Sequence, residues 1–332
     1  MRFLIIGNGA IGKKRIEALI KLGYSNIFVY DNIVSEDIFE YTVVFPESLD
    51  FNKVQMISIE DDIFKDSPPD WVFIATSHGA AMEWAKVALQ WGSKVLVEKP
   101  LGRNYQETQD ISSYIKYPNQ LFVGFNYRFH KGVQNLCKDI EENKFGSIIS
   151  MNMVIGHGGS PEDKYFWKLN NFDGSADSLL DPGIHFLDIL NLLFPNKVKP
   201  LGGKCWSGFW NTGVKEEVHM LYTAGDSIIN LSTSIAKWRN TFRIEVNGIE
   251  GYGCLNGRGG NYGVQTYTRG KRWGWSEGES QRESERLVSE SDCSDSFLVE
   301  TESLLKGSKL NCTATEALAT MKLYDESIRI LQ

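Results

Sequence analysis

Short, almost continuously apolar runs alternate with stretches of helical periodicity over the first 125 residues of the chain. The runs 3–6, 27–30, 71–75, 95–97 and 121–123 predict strands that carry apolar side chains on both faces, as parallel strands covered by helices do. Between them, residues 10–22 and 79–91 place apolar side chains at helical spacing. Strand and helix in turn predict a doubly wound parallel sheet with right-handed crossovers. The pattern changes near Phe125. Residues 148–155, 218–223, 228–235 and 241–246 predict longer strands punctuated by Gly and Asn. Hairpin turns are expected at Thr223-Ala224-Gly225-Asp226 and Val246-Asn247-Gly248. A helix is expected over 182–193, and two amphipathic helices near 295–305 and 315–331 close the chain. Thr313-Ala314-Thr315-Glu316 has the form of a helix entry. The expected architecture is therefore α/β followed by α+β, with the boundary near Phe125: a parallel-sheet domain over 1–124, then a largely antiparallel, open-faced sheet domain over 125–332.

Composition agrees with two domains and narrows the partners. At roughly 150 residues per domain, 332 residues make about two. Hydrophobic residues at 42% and charged residues at 23% exclude a disordered chain, a collagen and a small disulfide scaffold. The 35 basic and 42 acidic side chains leave a net charge of −7, which argues against nucleic acid as a partner. No apolar run approaches the roughly 20 residues that span a bilayer, so no membrane insertion is expected. The N-terminal apolar run stops at Gly7, short of the 7 to about 15 residues of a secretory core. Cys137, Cys205, Cys254, Cys293 and Cys312 are widely spaced, with no C-x-x-C pair. They are expected to be reduced thiols in a cytoplasmic protein.

The first chemical motif is Gly7-Asn8-Gly9-Ala10-Ile11-Gly12, directly after a strand and opening a helix. Gly7 permits the tight turn, Gly9 lets a pyrophosphate approach the backbone, and Gly12 allows close helix–strand packing. The amide groups of Ala10, Ile11 and Gly12 head the helix, where its partial positive charge meets phosphate. Asp31 ends the next strand, placed to accept hydrogen bonds from ribose hydroxyls. Asn32, Ile33 and Val34 follow it with no cation for a 2′-phosphate, so NAD is expected over NADP. An FAD site, or a plain glycine turn, has the same local pattern.

The second motif, Val95-Leu96-Val97-Glu98-Lys99-Pro100, lies at the carboxyl end of a strand, where open parallel sheets bind ligands. Alone, a Glu-Lys pair there is an ordinary solvated edge. Together with the glycine turn it resembles the glucose-fructose oxidoreductase and inositol dehydrogenase family, Gfo/Idh/MocA. Ala75-Thr76, Gly124-Phe125-Asn126-Tyr127-Arg128 and Leu180-Asp181-Pro182-Gly183-Ile184-His185-Phe186-Leu187-Asp188 extend the resemblance along the whole chain. It implies a Rossmann domain followed by a domain for substrate binding and oligomerisation, in a homodimer or homotetramer. It implies Thr76 and Glu98 at the cofactor, and Tyr127, Arg128, Trp167 and Lys168 in or beside the substrate pocket. Thr76-Ser77-His78-Gly79 departs from the family's proline and asparagine, with Met82 near its usual histidine. The family's glycine cluster is reduced to Gly174-Ser175-Ala176-Asp177-Ser178. Both departures bear on the substrate more than on the fold.

Asp181 and His185, four residues apart, share a face if both are helical. Locally, Asp181 before Pro182 reads as a helix N-cap, and His185 as an interior histidine. Asp188 could orient the imidazole or merely face water. The family places a lysine, an aspartate and a histidine around the reacting carbon, which correspond here to Lys99, Asp181 and His185. In that set His185 takes the hydroxyl proton, Lys99 stabilises the developing alkoxide, and Asp181 holds a neighbouring hydroxyl or tunes His185. The expected activity is NAD-dependent hydride transfer at a secondary hydroxyl of a small-molecule sugar, inositol or other polyol. The alternatives are NAD-assisted, redox-neutral elimination or hydrolysis of a sugar, and a non-catalytic nucleotide-binding scaffold. His130, His157 and His219 have no metal-ligand spacing, so no metal is expected. Residues 252–275 interleave Tyr252, Tyr262, Tyr267, Trp273 and Trp275 with Arg258, Arg269, Lys271 and Arg272. Such a stretch suits a sugar ring or an anionic substituent, or else hairpins and an oligomer contact.

Overall fold

The structure is a computed structural model and describes residues 1–31, 53–57, 64, 67–159, 177–210, 212–271 and 285–331. It divides into two compact units, Met1–Asn126 with Asp295–Met321, and Tyr127–Ser294 with Lys322–Gln332.

In the first unit, β1 (Phe3–Ile6), β2 (Ile27–Tyr30), β3 (Val54–Met56), β4 (Trp71–Ile74), β5 (Lys94–Glu98) and β6 (Leu121–Gly124) form a parallel sheet. Their order is β6-β5-β4-β1-β2-β3, so the winding reverses beside β1. The carboxyl end of β1 is thus the switch point where such sheets bind ligands. All four residues of β1 and of β4 are buried, as their apolar runs require. β3 was not expected. Its three residues are too few to carry a period, and only the pairing with β2 makes them a strand. The helices are α1 (Ala10–Lys21), α2 (His78–Trp91) and α3 (Tyr105–Ser112). α1 buries Ile16, Leu19 and Ile20 in the cluster that holds Phe3, Ile5, Ile27 and Val29. Each such side chain contributes about 1.5–3 kcal/mol by leaving water. Gly92, in the left-handed conformation, ends α2, and the Asn104 side chain caps α3 by accepting from the Glu107 amide at 2.9 Å.

In the second unit, the 3-10 turn Asn126–Phe129 leads into α4 (Lys131–Glu141). There follow β7 (Ile148–Gly156), α5 (Ile184–Leu193), β8 (Val198–Trp206), β9 (Glu217–Ala224), β10 (Ser227–Ser234), β11 (Thr241–Gly248), β12 (Gly251–Asn256), β13 (Gln265–Lys271) and β14 (Arg286–Ser291). The eight strands order as β14-β13-β12-β11-β7-β10-β9-β8, antiparallel except for the parallel pair β7–β10. Burial alternates along them. Val218, Met220 and Tyr222 point inward, while Leu221 and Ile228 point out.

Three local expectations sharpen here. The hairpin at residues 223–226 forms, pairing Ala224 with Ser227 across a Gly225 at φ +64°. The second turn falls at Ile249-Glu250 instead, and Asn247 and Gly248 stay within β11. The glycine is needed there for close approach, since a Cβ at Gly248 would sit 2.1 Å from the Phe145 carbonyl oxygen. Finally, α5 starts at Ile184, so Asp181 is not its N-cap. Asp177 serves the preceding turn, accepting from the amides of Leu179 at 3.0 Å and Leu180 at 2.9 Å.

The chain then returns to the first unit through α6 (Ser296–Leu305) and β15 (Cys312–Thr313), which pairs antiparallel with β6. α7 (Ala314–Ile330) opens with a capping box, the Glu316 carboxylate accepting from the Thr313 amide at 2.9 Å. Residues 295–321 therefore do not group with everything else after residue 125. Glu300 on α6 pairs with Arg15 at 2.6 Å, and β15 extends the first sheet to seven strands. Among the described residues no helix is long and apolar enough to cross a membrane.

Candidate functional site

The glycine turn sits at the end of β1 and is shaped by what surrounds it. Gly7, at φ +99°, lies against the end of β4, where a Cβ would come within 2.4 Å of the Ala75 oxygen and 3.1 Å of the Thr76 nitrogen. A Cβ on Gly12 would fall 1.9 Å from the Gly7 oxygen. Both positions therefore require glycine for packing, and Thr76 is brought beside the turn. Gly9 differs, because a Cβ there meets nothing within 4 Å. It precedes α1, and the first helical bond runs from the Lys13 amide to the Gly9 oxygen at 3.0 Å. The amides of Ala10, Ile11 and Gly12 consequently head the helix without intrahelical acceptors. Open space before a row of helix-leading amides fits the pyrophosphate of a dinucleotide. Asp31 at the end of β2 accepts from the Asn8 amide at 2.5 Å, so its carboxylate adjoins this turn. Asn32, Ile33 and Val34 lie outside the described residues.

Glu98 ends β5 and Lys99 follows it. The Glu98 carboxylate, expected at the cofactor, is bonded to Arg15, accepting from Nη2 at 2.6 Å and Nε at 2.7 Å. Arg15 is fully buried and also pairs with Glu300. Gly124 makes room for the pair, for a Cβ there would lie 2.8 Å from Glu98 Oε2 and 2.9 Å from Arg15 Nη2. Lys99 is half-buried beside it in the chain.

In the second unit four separated segments meet around one ring. Tyr127, on the 3-10 turn, stacks on His185 of α5 with ring centroids 3.7 Å apart and planes 11° apart. It also stacks on His130, one turn along, at 4.7 Å and 28°. Phe242 of β11 meets Tyr127 edge-on at 5.7 Å. The Arg258 guanidinium, beyond β12, lies 5.4 Å from the Tyr127 centroid and 3.8 Å from that of Tyr262. Asp181 is within electrostatic reach of both Tyr127 and Arg258. Burial, only partly offset by Arg258, raises the Tyr127 hydroxyl well above its usual range, so it stays protonated. Burial and Arg258 push His130 down to about 3, which keeps it neutral.

The structure thus brings Asp181, His185 and Tyr127 together in one unit, with Arg258 added. It does so without the shared helix face, because Asp181 lies in the turn before α5. Arg128, beside Tyr127 in the chain, is 1% exposed and holds Asp188 by two bonds of 2.8 and 2.7 Å. Asp188, itself 1% exposed, therefore does not face water. Trp167 and Lys168 lie outside the described residues, as do Arg272, Trp273 and Trp275. Tyr262, from the aromatic stretch noted in the sequence, and His130 join the cluster. His130 had no such mark, and its i, i+3 spacing from Tyr127 on one turn is the one hint for it. Among the described residues no three His, Cys, Asp or Glu side chains are grouped to hold a metal.

Both halves of the chain match known families. Residues 1–125 match an oxidoreductase family model with an NAD-binding Rossmann fold, GFO/IDH/MocA, and residues 133–252 match the GFO/IDH/MocA C-terminal domain. A levoglucosan dehydrogenase from Pseudarthrobacter phenanthrenivorans is 28% identical over 144 residues, covering 39% of this chain and 37% of that protein. The match thus spans little more than a third of that relative. Among solved structures, aldose-aldose oxidoreductase from Caulobacter crescentus superposes with a TM-score of 0.76 at 16% identity, covering 99% of this chain and 97% of that one. A 3-ketoreductase from Actinomadura kijaniata, in complex with NADP and TDP-benzene, gives a TM-score of 0.76 at 15% identity, covering 100% and 98%.

Proposed function

Since the chain belongs to the GFO/IDH/MocA oxidoreductase family and has its NAD-binding Rossmann domain, we propose that it transfers hydride between nicotinamide and a secondary hydroxyl of a sugar, inositol or sugar derivative. The observation that carries this reading is the stack of His185 on Tyr127 with Asp181 in electrostatic reach. When bound, the nicotinamide supplies the hydride acceptor. The residues supply the rest. His185 accepts the hydroxyl proton as the carbon–hydrogen bond breaks, and its stacking on Tyr127 fixes the plane of the imidazole. Asp181 orients a neighbouring hydroxyl, and Lys99 stabilises the alkoxide by its charge. The amides of Ala10, Ile11 and Gly12 hold the pyrophosphate, with Gly7, Gly9 and Thr76 shaping its bed. Asp31 supports NAD over NADP, because a carboxylate adjoining this turn repels a 2′-phosphate.

A panel of sugars, inositols and nucleotide sugars, offered with NAD and with NADP and followed at the nicotinamide absorbance, tests the reading. At least one member should reduce NAD, and NADP should react more slowly. No reduction across the panel would overturn it. We also assign the exposed face of the second sheet, with Ile149, Leu221 and Ile228, to assembly as a homodimer or homotetramer. Ile228→Glu should then lower the mass seen by light scattering.

A further inference from the structure

Two arginines are buried and neutralised, and a third is partly buried. Arg15 is bonded to Glu98 and Glu300, and Arg128 is bonded twice to Asp188. These pairs follow the rule that a buried charge needs a bonded counter-charge. Arg258 is different: it is partly buried, and among the described residues no ion pair joins it to a carboxylate, although Asp181 is within electrostatic reach. Its covered Nε has no hydrogen-bond partner. Two tyrosine rings flank it, and the Tyr262 side chain also hydrogen-bonds it. Contacts to ring faces leave its charge unneutralised. The backbone around it is fixed as well. Gly257 has φ +76° and Gly259 φ +82°, and a Cβ at Gly259 would meet the Asp292 oxygen at 1.7 Å.

A guanidinium lying over a ring keeps its edge donors, a planar fork matched to the two oxygens of a carboxylate or phosphate. The neighbours of this fork are Tyr127, which stacks on His185, and Asp181. We propose that Arg258 binds an anionic substituent of the substrate, a carboxylate or a phosphate, beside the hydroxyl that Asp181 and His185 handle. The substrate class narrows accordingly to acidic sugar derivatives. This rests on the sugar-oxidoreductase reading above. Tyr262 holds the guanidinium flat and acts as a positioning residue.

The test is calorimetric binding of glucuronate, galacturonate, glucose 6-phosphate and glucose to the full chain, with initial rates in the presence of NAD measured in parallel. At least one anion should bind more tightly than glucose. Arg258→Gln should weaken that anion about ten- to a hundredfold, the loss of a charge-assisted bond, and reduce its preference over glucose by the same factor. Arg258→Lys should recover part of the affinity, because it keeps the charge but not the fork. Preference for the uronates over the phosphate, or the reverse, identifies the anion. Equal binding of anions and glucose by the wild type overturns the proposal even if Arg258→Gln fails to fold, and so does anion affinity unmoved in Arg258→Gln. Arg258-dependent anion binding with no NAD reduction by any sugar would instead sink the oxidoreductase reading and leave the anion site standing.

Discussion

The glycine turn of the first unit and the aromatic cluster of the second are built by opposite means. The turn is one contiguous segment whose working surface is backbone: amides at the head of α1, with one side wall at Ala75 and Thr76. The cluster draws side chains from residues 127–130, 181–185, 242 and 258–262, and its backbone only delivers them. A backbone site depends on which glycines leave room for packing and for its ligand, and its charge comes from the helix head rather than from side chains. A side-chain site takes its charge from the side chains, and it depends on packing contributed by every segment.

Substitutions can separate the two. His185→Ala should lower kcat by about 10²–10⁴ while NAD affinity, measured by fluorescence titration, stays unchanged. An equal loss of cofactor affinity would erase the distinction between the regions. Arg128→Met leaves Asp188 buried without its cation and should cost about 3–5 kcal/mol in urea unfolding, more than a surface change in either region. In the turn, Gly12→Ala should destabilise by about 1–3 kcal/mol, because its Cβ meets the Gly7 oxygen. Gly9→Ala should leave stability within about 0.5 kcal/mol and still weaken cofactor binding, since its Cβ fills only open space. The last effect is a pH dependence and concerns His130. Its pKa in the folded chain, about 3, lies below the unfolded value of about 6.5, so the unfolded chain binds the extra proton between those values. Stability is full above the unfolded value and falls as pH drops from about 6.5 toward 3, by roughly 1.4 kcal/mol at pH 5.5. His130→Phe should flatten that part of the pH–stability curve.

The same contrast explains what could be read from the chain in advance. The parallel sheet and the glycine turn were legible because apolar runs and six adjacent residues carry their own geometry. Asp181 and His185 were reached through a family resemblance, and the helix face offered for them does not exist, because the helix starts at Ile184. Arg258 stood out only as one cation among aromatics. Its lack of a bonded carboxylate depends on which side chains fold around it, and sequence spacing does not encode that. The pairing of Arg128 was hidden for the same reason, since its partner Asp188 lies on another helix. Where a role belongs to one segment, pattern suffices; where it belongs to an encounter, the fold has to be seen.

Arg15 holds Glu98 from β5 and Glu300 from α6, so the first unit joins early and late parts of the chain. At about 5–20 residues per second, a ribosome releases residue 300 roughly ten to thirty-five seconds after residue 126. Through that interval the nascent parallel sheet contains an arginine with only one of its two carboxylates and an edge at β6 still open. The second unit is translated meanwhile. Residues 295–321 then act as a delayed closing piece, which ties maturation of the nucleotide-binding half to synthesis of residues 127–294.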